Sequence, residues 1–440
     1  MGELFRRFWL PALLPSELPT PDSDPIRFRI LGEDLVAFRD SNGTPGFVAN
    51  NCPHRGASLF FGRNEEAGLR CVYHGWKFDV TGHCIDMPNL RSASLHEAGL
   101  RSASLHEAGL RSASLHEAGL PAESDFGSRV KATAYPARDY AGLIWIYMGP
   151  PDKQPPLPRY QWCARPDADQ TIANKWMQES NYAQALEGNI DSSHVGFLHR
   201  TFEHPTFRAG GRLEGTQQVT ATRETDFGFV YGARRNAADG QFYWRVTTYA
   251  MPTFTQIASQ SRGGNGIFVI PRDDETHWWI TVNPPRLPDE PERQDPSLVG
   301  LLTGTAIADP ATLGLIPGTW RRVRNKDNDY MLDRKMQRTH NYTGLPGNRT
   351  QDQAVTESMG TIIDRSKEHL GAADSAIIVM RRMLLRMARR LGDGVEPEMV
   401  NQPDRFQTQP MNVTTYESDF QTLWDAHERA YKSTVTTRRE

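Results

Sequence analysis

The chain is poor in the features that would commit it to a membrane, a disulfide scaffold or a nucleic acid. Only four cysteines occur in 440 residues, too few for a disulfide framework, so a reducing, cytoplasmic setting is expected. No apolar run approaches the roughly eighteen residues of a membrane-spanning helix. Two arginines near the start precede a short apolar stretch, but prolines interrupt it and no small-residue cleavage site follows, so residues 1–11 read as part of the fold. Positive charge is not in excess: the formal net charge is -3, which argues against a nucleic-acid binder. No Gly-rich dinucleotide fingerprint is evident either, which agrees with a partner supplying any electrons the protein uses.

Two of the scarce cysteines stand in mixed ligand pairs, Cys52-Pro53-His54 and Cys71-Val72-Tyr73-His74. Two thiolates and two imidazoles on closely spaced loops suit a Rieske [2Fe-2S] cluster, in which two Cys hold one iron and two His the other. A Cys2His2 zinc site is the competing reading. Zinc spacing usually groups like ligands, whereas each loop here supplies one of each kind. Gly56 and Gly75 let the loop backbones bend close to bound sulfides.

A chain of this length accommodates two or three domains. Short alternating segments at 26–31, 35–39 and 46–49, broken by Ser41-Asn42-Gly43, predict a small antiparallel β domain with the ligand pairs on its loops. Segments 77–80 and 83–86 predict a hairpin about Thr81-Gly82. Residues 91–120 then repeat Arg-Ser-Ala-Ser-Leu-His-Glu-Ala-Gly-Leu three times without a change. This unit is too short for a solenoid repeat. A ten-residue step turns a helix by about 1000°, so His96, His106 and His116 would not share a face, and an exposed insertion is expected. Gly149-Pro150-Pro151 reads as a linker, dividing residues 1–150 from 151–440. Beyond it strands are predicted at 213–223, 227–235, 242–249, 267–271 and 278–282, and helices at 176–198, 351–370 and 375–391. The fold class is therefore α+β, an N-terminal antiparallel β domain followed by a domain with an antiparallel sheet flanked by helices.

The first of those helices carries Asp191, His194 and His199. Mononuclear non-haem iron that activates O2 is commonly held by two His and one carboxylate, with positions left open. On an ideal helix a five-residue step is about 140° out of line, so the helix must end or distort between the two His, and Gly196 offers a place. Asp191 and His194, three apart, would share a face. Arginines on the predicted sheet, Arg223, Arg234, Arg235 and Arg245, are natural partners for a carboxylate-bearing substrate, because the guanidinium fork pairs with it bidentately. The basic stretch with Arg381, Arg382, Arg386, Arg389 and Arg390 reads as a solvated face, with an acidic partner as the alternative.

Cys-Pro-His-Arg-Gly at 52–56, Cys-Val-Tyr-His-Gly-Trp at 71–76 and the Asp-x2-His-x4-His spacing from Asp191 together resemble the Rieske non-haem iron oxygenases. The resemblance extends over nearly the whole chain and is closest to the phthalate dioxygenase and aromatic O-demethylase group, with 325–330, 357–360 and 364–371 as further similar segments. It implies a [2Fe-2S] cluster on Cys52, His54, Cys71 and His74. It also implies mononuclear Fe(II) on His194, His199 and a later carboxylate, for which Asp352 is the choice over Glu357 and Asp364. Asp191 would bridge to His74 of a neighbouring chain in a head-to-tail homotrimer or a multiple of it. Electrons would come from an NAD(P)H-dependent reductase carrying flavin and an iron–sulfur centre. The implied activity is cis-dihydroxylation of an aromatic carboxylate such as a phthalate. O-demethylation of a methoxylated aromatic acid, or a plain Rieske electron carrier, are the alternatives. The insertion at 91–120 departs from the family pattern.

Overall fold

The computed structural model describes residues 1–88, 129–202, 213–258, 266–285 and 314–437. The decapeptide repeat lies outside the described residues. The chain divides into two compact units, one of residues 12–139 and 144–148, the other of residues 1–11, 140–143 and 149–440.

The two larger sheets of the smaller unit are built from short strands, β1 (Ile26–Ile30), β2 (Glu33–Arg39), β3 (Pro45–Ala49), β4 (Arg63–Glu65), β5 (Gly68–Arg70), β6 (Lys77–Phe78), β7 (Cys84–Asp86) and β8 (Ala134–Tyr135). They form two four-stranded antiparallel sheets, in the orders β1-β2-β3-β8 and β4-β5-β6-β7. Alternation in β2 and β3 turns Val36, Phe38 and Val48 into a core with Leu59, Leu69, Trp76 and Phe78. Burying each of these side chains contributes about 1.5–3 kcal/mol. Cys52 and Cys71 are buried in the same cluster, so the core fixes where both thiols stand. At the β6–β7 turn Gly82 has φ +83°, and a Cβ there would lie 2.1 Å from the Ala132 carbonyl oxygen, so only glycine fits.

The larger unit is built on one antiparallel sheet: β9 (Ile172–Gln178), β10 (Leu213–Thr225), β11 (Gly228–Ala237), β12 (Phe242–Ala250), β13 (Phe254–Gln256), β14 (Gly266–Pro271), β15 (His277–Asn283) and β16 (Met411–Thr415). The order is β9-β15-β14-β13-β12-β11-β10, with β16 also paired to β12. Helix α1 (Tyr182–Ile190) lies against β12, β13 and β14, and the short α2 (Val195–Leu198) lies against α3 (Asn348–Ser358). The long α4 (Ser375–Gly392) covers β10 and β11.

Two predicted helices are corrected. Residues 176–178 belong to β9, and the helix expected over 176–198 is divided into α1 and the short α2, α1 being capped at its start by the Asn181 side chain, which accepts from the Ala183 N–H. Helix α1 ends where Asp191 turns to extended backbone, φ -89° and ψ 123°. The helix expected over 351–370 begins earlier, at Asn348, and stops at Ser358, followed by Gly360 at φ +90°. Asp352 therefore sits one turn inside its helix rather than at its start.

Candidate metal centres and their surroundings

The two cysteine loops share one backbone frame. In each, the Cys carbonyl accepts from the glycine N–H four residues on, Gly56 to Cys52 and Gly75 to Cys71, both at 2.9 Å. In each, the Cys N–H donates to the residue five on, to Ala57 and to Trp76, both at 2.8 Å. Both glycines adopt positive φ, +74° and +78°. The frames differ in where the imidazole is hung, two residues after Cys52 and three after Cys71. The result brings the rings of His54 and His74 to 4.4 Å between centroids, with His54 stacked on Trp76 at 4.2 Å.

This donor set fits an iron–sulfur cluster. Burial, with the neighbouring Cys71 adding to it against backbone N–H bonds from His54 and Arg55, pushes the Cys52 thiol up to about 11. A thiolate in such a place needs a bound cation. The Nδ1 of His54 is buried with no hydrogen-bond partner, as expected of a nitrogen meant for a metal rather than for the protein. Burial, followed by the charge of His74, holds His54 below the ordinary histidine range, so its ring is neutral and able to ligate.

In the larger unit His194, His199 and Asp352 offer three ligand atoms that all lie within 4.8 Å of one another, the one such group of three among the described residues. His194 and His199 flank α2, which gives the five-residue step its correct geometry. The break in the chain falls at Asp191 rather than at Gly196, which lies inside α2. Asp191 and His194 consequently share no helix face. Instead the Asp191 carboxylate folds back over a turn, accepting from Ser193 N–H at 2.6 Å, His194 N–H at 3.3 Å and His194 Nδ1 at 3.1 Å. A carboxylate only accepts, so Nδ1 of His194 carries the proton and Nε2 is left with its lone pair. That Nε2 is 3.8 Å from Asp352 Oδ1, and His199 Nε2 is 3.2 Å from the same oxygen. The other carboxylate oxygen, Oδ2, is 3.7 Å from Arg349 Nη1. Burial alone would raise Asp352, but the hydrogen bond and charge of His199, the charge of His194 and Arg349 hold it below the usual carboxylate range. Two imidazole nitrogens and one carboxylate oxygen gathered within 4.8 Å of one another are the donors that octahedral Fe(II) with open positions uses.

The rival carboxylates are engaged elsewhere. Glu357 accepts from Tyr330 O–H at 2.5 Å, Glu179 N–H at 2.9 Å and Gln353 Nε2 at 3.0 Å, while Asp364 caps Ser366 and pairs with Lys367 at the surface. Of the four sheet arginines, Arg223 pairs with Asp425 and Arg234 lies over the Phe242 ring and donates to the Ser418 carbonyl. Both serve the packing of the sheet. Arg235 and Arg245 are buried on adjacent strands and converge on Ser192, the residue after Asp191: Arg235 donates to its carbonyl at 3.0 Å, Arg245 to its hydroxyl at 3.3 Å. The hydroxyl of Tyr231, one rung along, is buried without a hydrogen-bond partner. The basic face of α4 is partly spoken for, because Arg381 forks onto Glu187 and Glu368 and Arg386 pairs with Glu224. Sequence reading passed over Gln351, Arg349 and Glu187, whose partners are more than a hundred residues away or set by helix rotation.

A Cys2His2 set on twinned loops, its two cysteines buried, and a separate cluster of two His and one carboxylate define an iron-dependent oxygenase subunit with its own electron-accepting domain. Residues 8–103 match the Rieske [2Fe-2S] domain family, and residues 146–434 match the family described as LigXa C-terminal domain like. The chain is 34% identical over 423 residues to the 3-chlorobenzoate-3,4-dioxygenase oxygenase subunit of Comamonas testosteroni, covering 93% of this chain and 90% of the relative. It is 34% identical over 403 residues to the phthalate 4,5-dioxygenase oxygenase subunit of Pseudomonas putida, covering 88% and 82%. A crystal structure of dicamba monooxygenase bound to dicamba shares the fold, with a TM-score of 0.53 at 16% identity over 88% of this chain and 98% of that one. The chain belongs to the Rieske oxygenase family as an oxygenase subunit, an oxidoreductase.

Proposed function

We propose that this protein is the terminal oxygenase of a multicomponent system that cis-dihydroxylates an aromatic carboxylate, using O2 and two electrons from NAD(P)H delivered by a separate flavin- and iron–sulfur-containing reductase. The observation that carries the reading is the convergence of His194, His199 and Asp352 within 4.8 Å in a chain that also holds the Cys52, His54, Cys71 and His74 set. Bound in these places, the iron supplies O2 activation and the cluster supplies electrons one at a time. The protein's part is to hold the donors. Asp191 keeps the His194 ring turned so that Nε2 faces Asp352, and Asp191 is our choice for the bridge to His74 of a second copy. The loop tip beside His74 supports that choice, since Val72 and Tyr73 are 59% and 54% exposed, an apolar surface suited to a partner. In our reading the copies close into a head-to-tail three-fold ring, which gives every Asp191 a neighbouring His74.

The substrate class rests on the relatives, which are named for chlorobenzoate and phthalate, and on Arg235 and Arg245. Burial, against the charges of Tyr243, Tyr231 and Asp191, lowers both guanidinium groups from their ordinary value. A guanidinium fork in such a place pairs bidentately with an incoming carboxylate. All four cysteines are free thiols and, among the described residues, no helix is long and apolar enough to cross a membrane; both agree with a cytoplasmic enzyme. The test is incubation with phthalate, chlorobenzoate and methoxybenzoate plus a compatible reductase, with iron counted beforehand. We expect about three irons per chain and a diol as product. Formaldehyde from the methoxylated acid alone would replace dihydroxylation by O-demethylation. Two irons per chain with an intact Rieske spectrum would reduce the protein to an electron carrier.

A further inference from the structure

Gln351 immediately precedes Asp352 on α3 and is buried, 4% exposed. Its side-chain amide has a donating and an accepting end, and a backbone carbonyl decides which end faces the metal centre. The Leu345 carbonyl only accepts, and the Gln351 Nε2 donates to it at 2.9 Å. That carbonyl is itself held in place, because Asn341 Nδ2 also donates to it at 2.9 Å while Asn341 Oδ1 accepts from Gly344 N–H at 2.6 Å. The accepting end, Oε1, is therefore fixed 2.7 Å from His199 Nδ1. An oxygen without a hydrogen requires a donor opposite it, so Nδ1 of His199 carries the proton. That leaves Nε2, 3.2 Å from Asp352 Oδ1, as the nitrogen free to exchange its contact with this carboxylate for a metal.

We propose that Gln351 is a positioning residue that sets the tautomer and ring plane of His199, and so delivers this imidazole to the mononuclear iron through Nε2. The inference rests on the iron site proposed above. It also makes the two histidines unequal, one backed by the Asp191 carboxylate and the other by a neutral amide. Partners of this kind behind a metal-bound histidine typically change metal affinity by about 10–100-fold when removed.

The test uses the full-length protein with its Rieske cluster in place and the mononuclear site emptied by a chelator, titrated anaerobically with Fe(II). Gln351→Leu removes the acceptor and should weaken binding by about 10–100-fold. Gln351→Glu keeps an oxygen facing Nδ1 while giving up the bond to Leu345, so it should bind within about threefold of the parent, or more tightly. Equal losses in the two variants, tracking a common fall in melting temperature, would mean that Gln351 only braces the 341–345 turn, and would overturn the proposal. In a His199→Ala background Gln351→Leu should have no further effect on Fe(II) binding, and an additive loss would overturn it as well. If His199→Ala itself leaves Fe(II) binding unchanged, the iron site fails with it; if His199→Ala abolishes binding and Gln351→Leu does not weaken it, only the role of Gln351 falls.

Discussion

Among the groups through which acid should weaken the larger unit, His277 contributes an amount that its burial determines. His277 opens β15 with 0% of its surface exposed. Its Nδ1 lies 2.7 Å from the Ser180 carbonyl, and its other ring nitrogen lies 3.2 Å from the Gln178 side-chain amide. Burial disfavours the imidazolium and lowers the group from 6.5 to about 4, although the bond to Ser180 pulls the other way. In the unfolded chain the same ring titrates near its ordinary value. Between these two values the unfolded chain binds a proton that the folded chain does not, so stability is complete above about pH 6.5 and is lost as pH falls toward 4. The loss is about 2 kcal/mol from pH 7 to pH 5 and about 3 kcal/mol by pH 4. Urea unfolding followed by tryptophan fluorescence measures it, because Trp278 and Trp279 adjoin the histidine. The many other titrating groups contribute to both curves, so the informative quantity is the difference between the parent and His277→Gln. The variant should lose some stability at every pH, but its curve should run flatter by the stated amount between pH 7 and pH 5. Parallel curves over that window would refute the reasoning.

Two substitutions test the metal centres directly. Asp191→Asn should retain about three irons per chain yet lose most turnover in an O2-uptake assay, because the amide cannot serve as an accepting anion on both sides; full turnover would remove Asp191 from the electron path. Gly75→Ala places an L side chain at φ +78° with its Cβ 3.0 Å from Pro88 Cγ. The left-handed backbone alone costs about 1–2 kcal/mol, so cluster absorbance per chain should fall and its thermal loss should come earlier, and a variant that keeps its cluster like the parent would show that the loop tolerates the strain.

Several strands were legible because β-branched and aromatic residues are concentrated in them, although β12 and β14 are buried on both faces. The segments expected at 26–31, 242–249 and 267–271 lie within a residue or two of β1, β12 and β14. The last three residues of β9, 176–178, were read as helix and the rest of the strand was not recognised, because β9 mixes polar residues into a buried segment. It is largely buried on both faces, and Lys175, which a polar-out pattern would place in water, is 0% exposed with its ammonium 4.6 Å and 4.4 Å from the rings of Trp278 and Trp320. A lysine that binds aromatic faces instead of water erases the alternation on which strand recognition depends. The premature end of α1 was equally hidden. Nothing in the sequence stops a helix at Asp191 except the use of its carboxylate to accept the N–H groups of Ser193 and His194, by which a short acidic side chain competes with the helical backbone.

The same distinction separates the ligands from the residues behind them. Cys52, His54, Cys71 and His74 were legible from spacing because each loop is a local object, closed by hydrogen bonds four and five residues apart. Asp352 was reachable only by family likeness, since no local pattern distinguishes it from any other acid near a helix start. Gln351 was not legible by either route. Whether a glutamine beside a ligand faces the metal or the solvent depends on how α3 is rotated against α2. That rotation is fixed by contacts such as Gln351 to Leu345 and Glu357 to Tyr330, which the fold must form before the question has an answer. Spacing selects which atoms can bind a metal; the orientation of those atoms is a property of the packed helices, and for that reason it has to be tested by metal affinity in the folded protein.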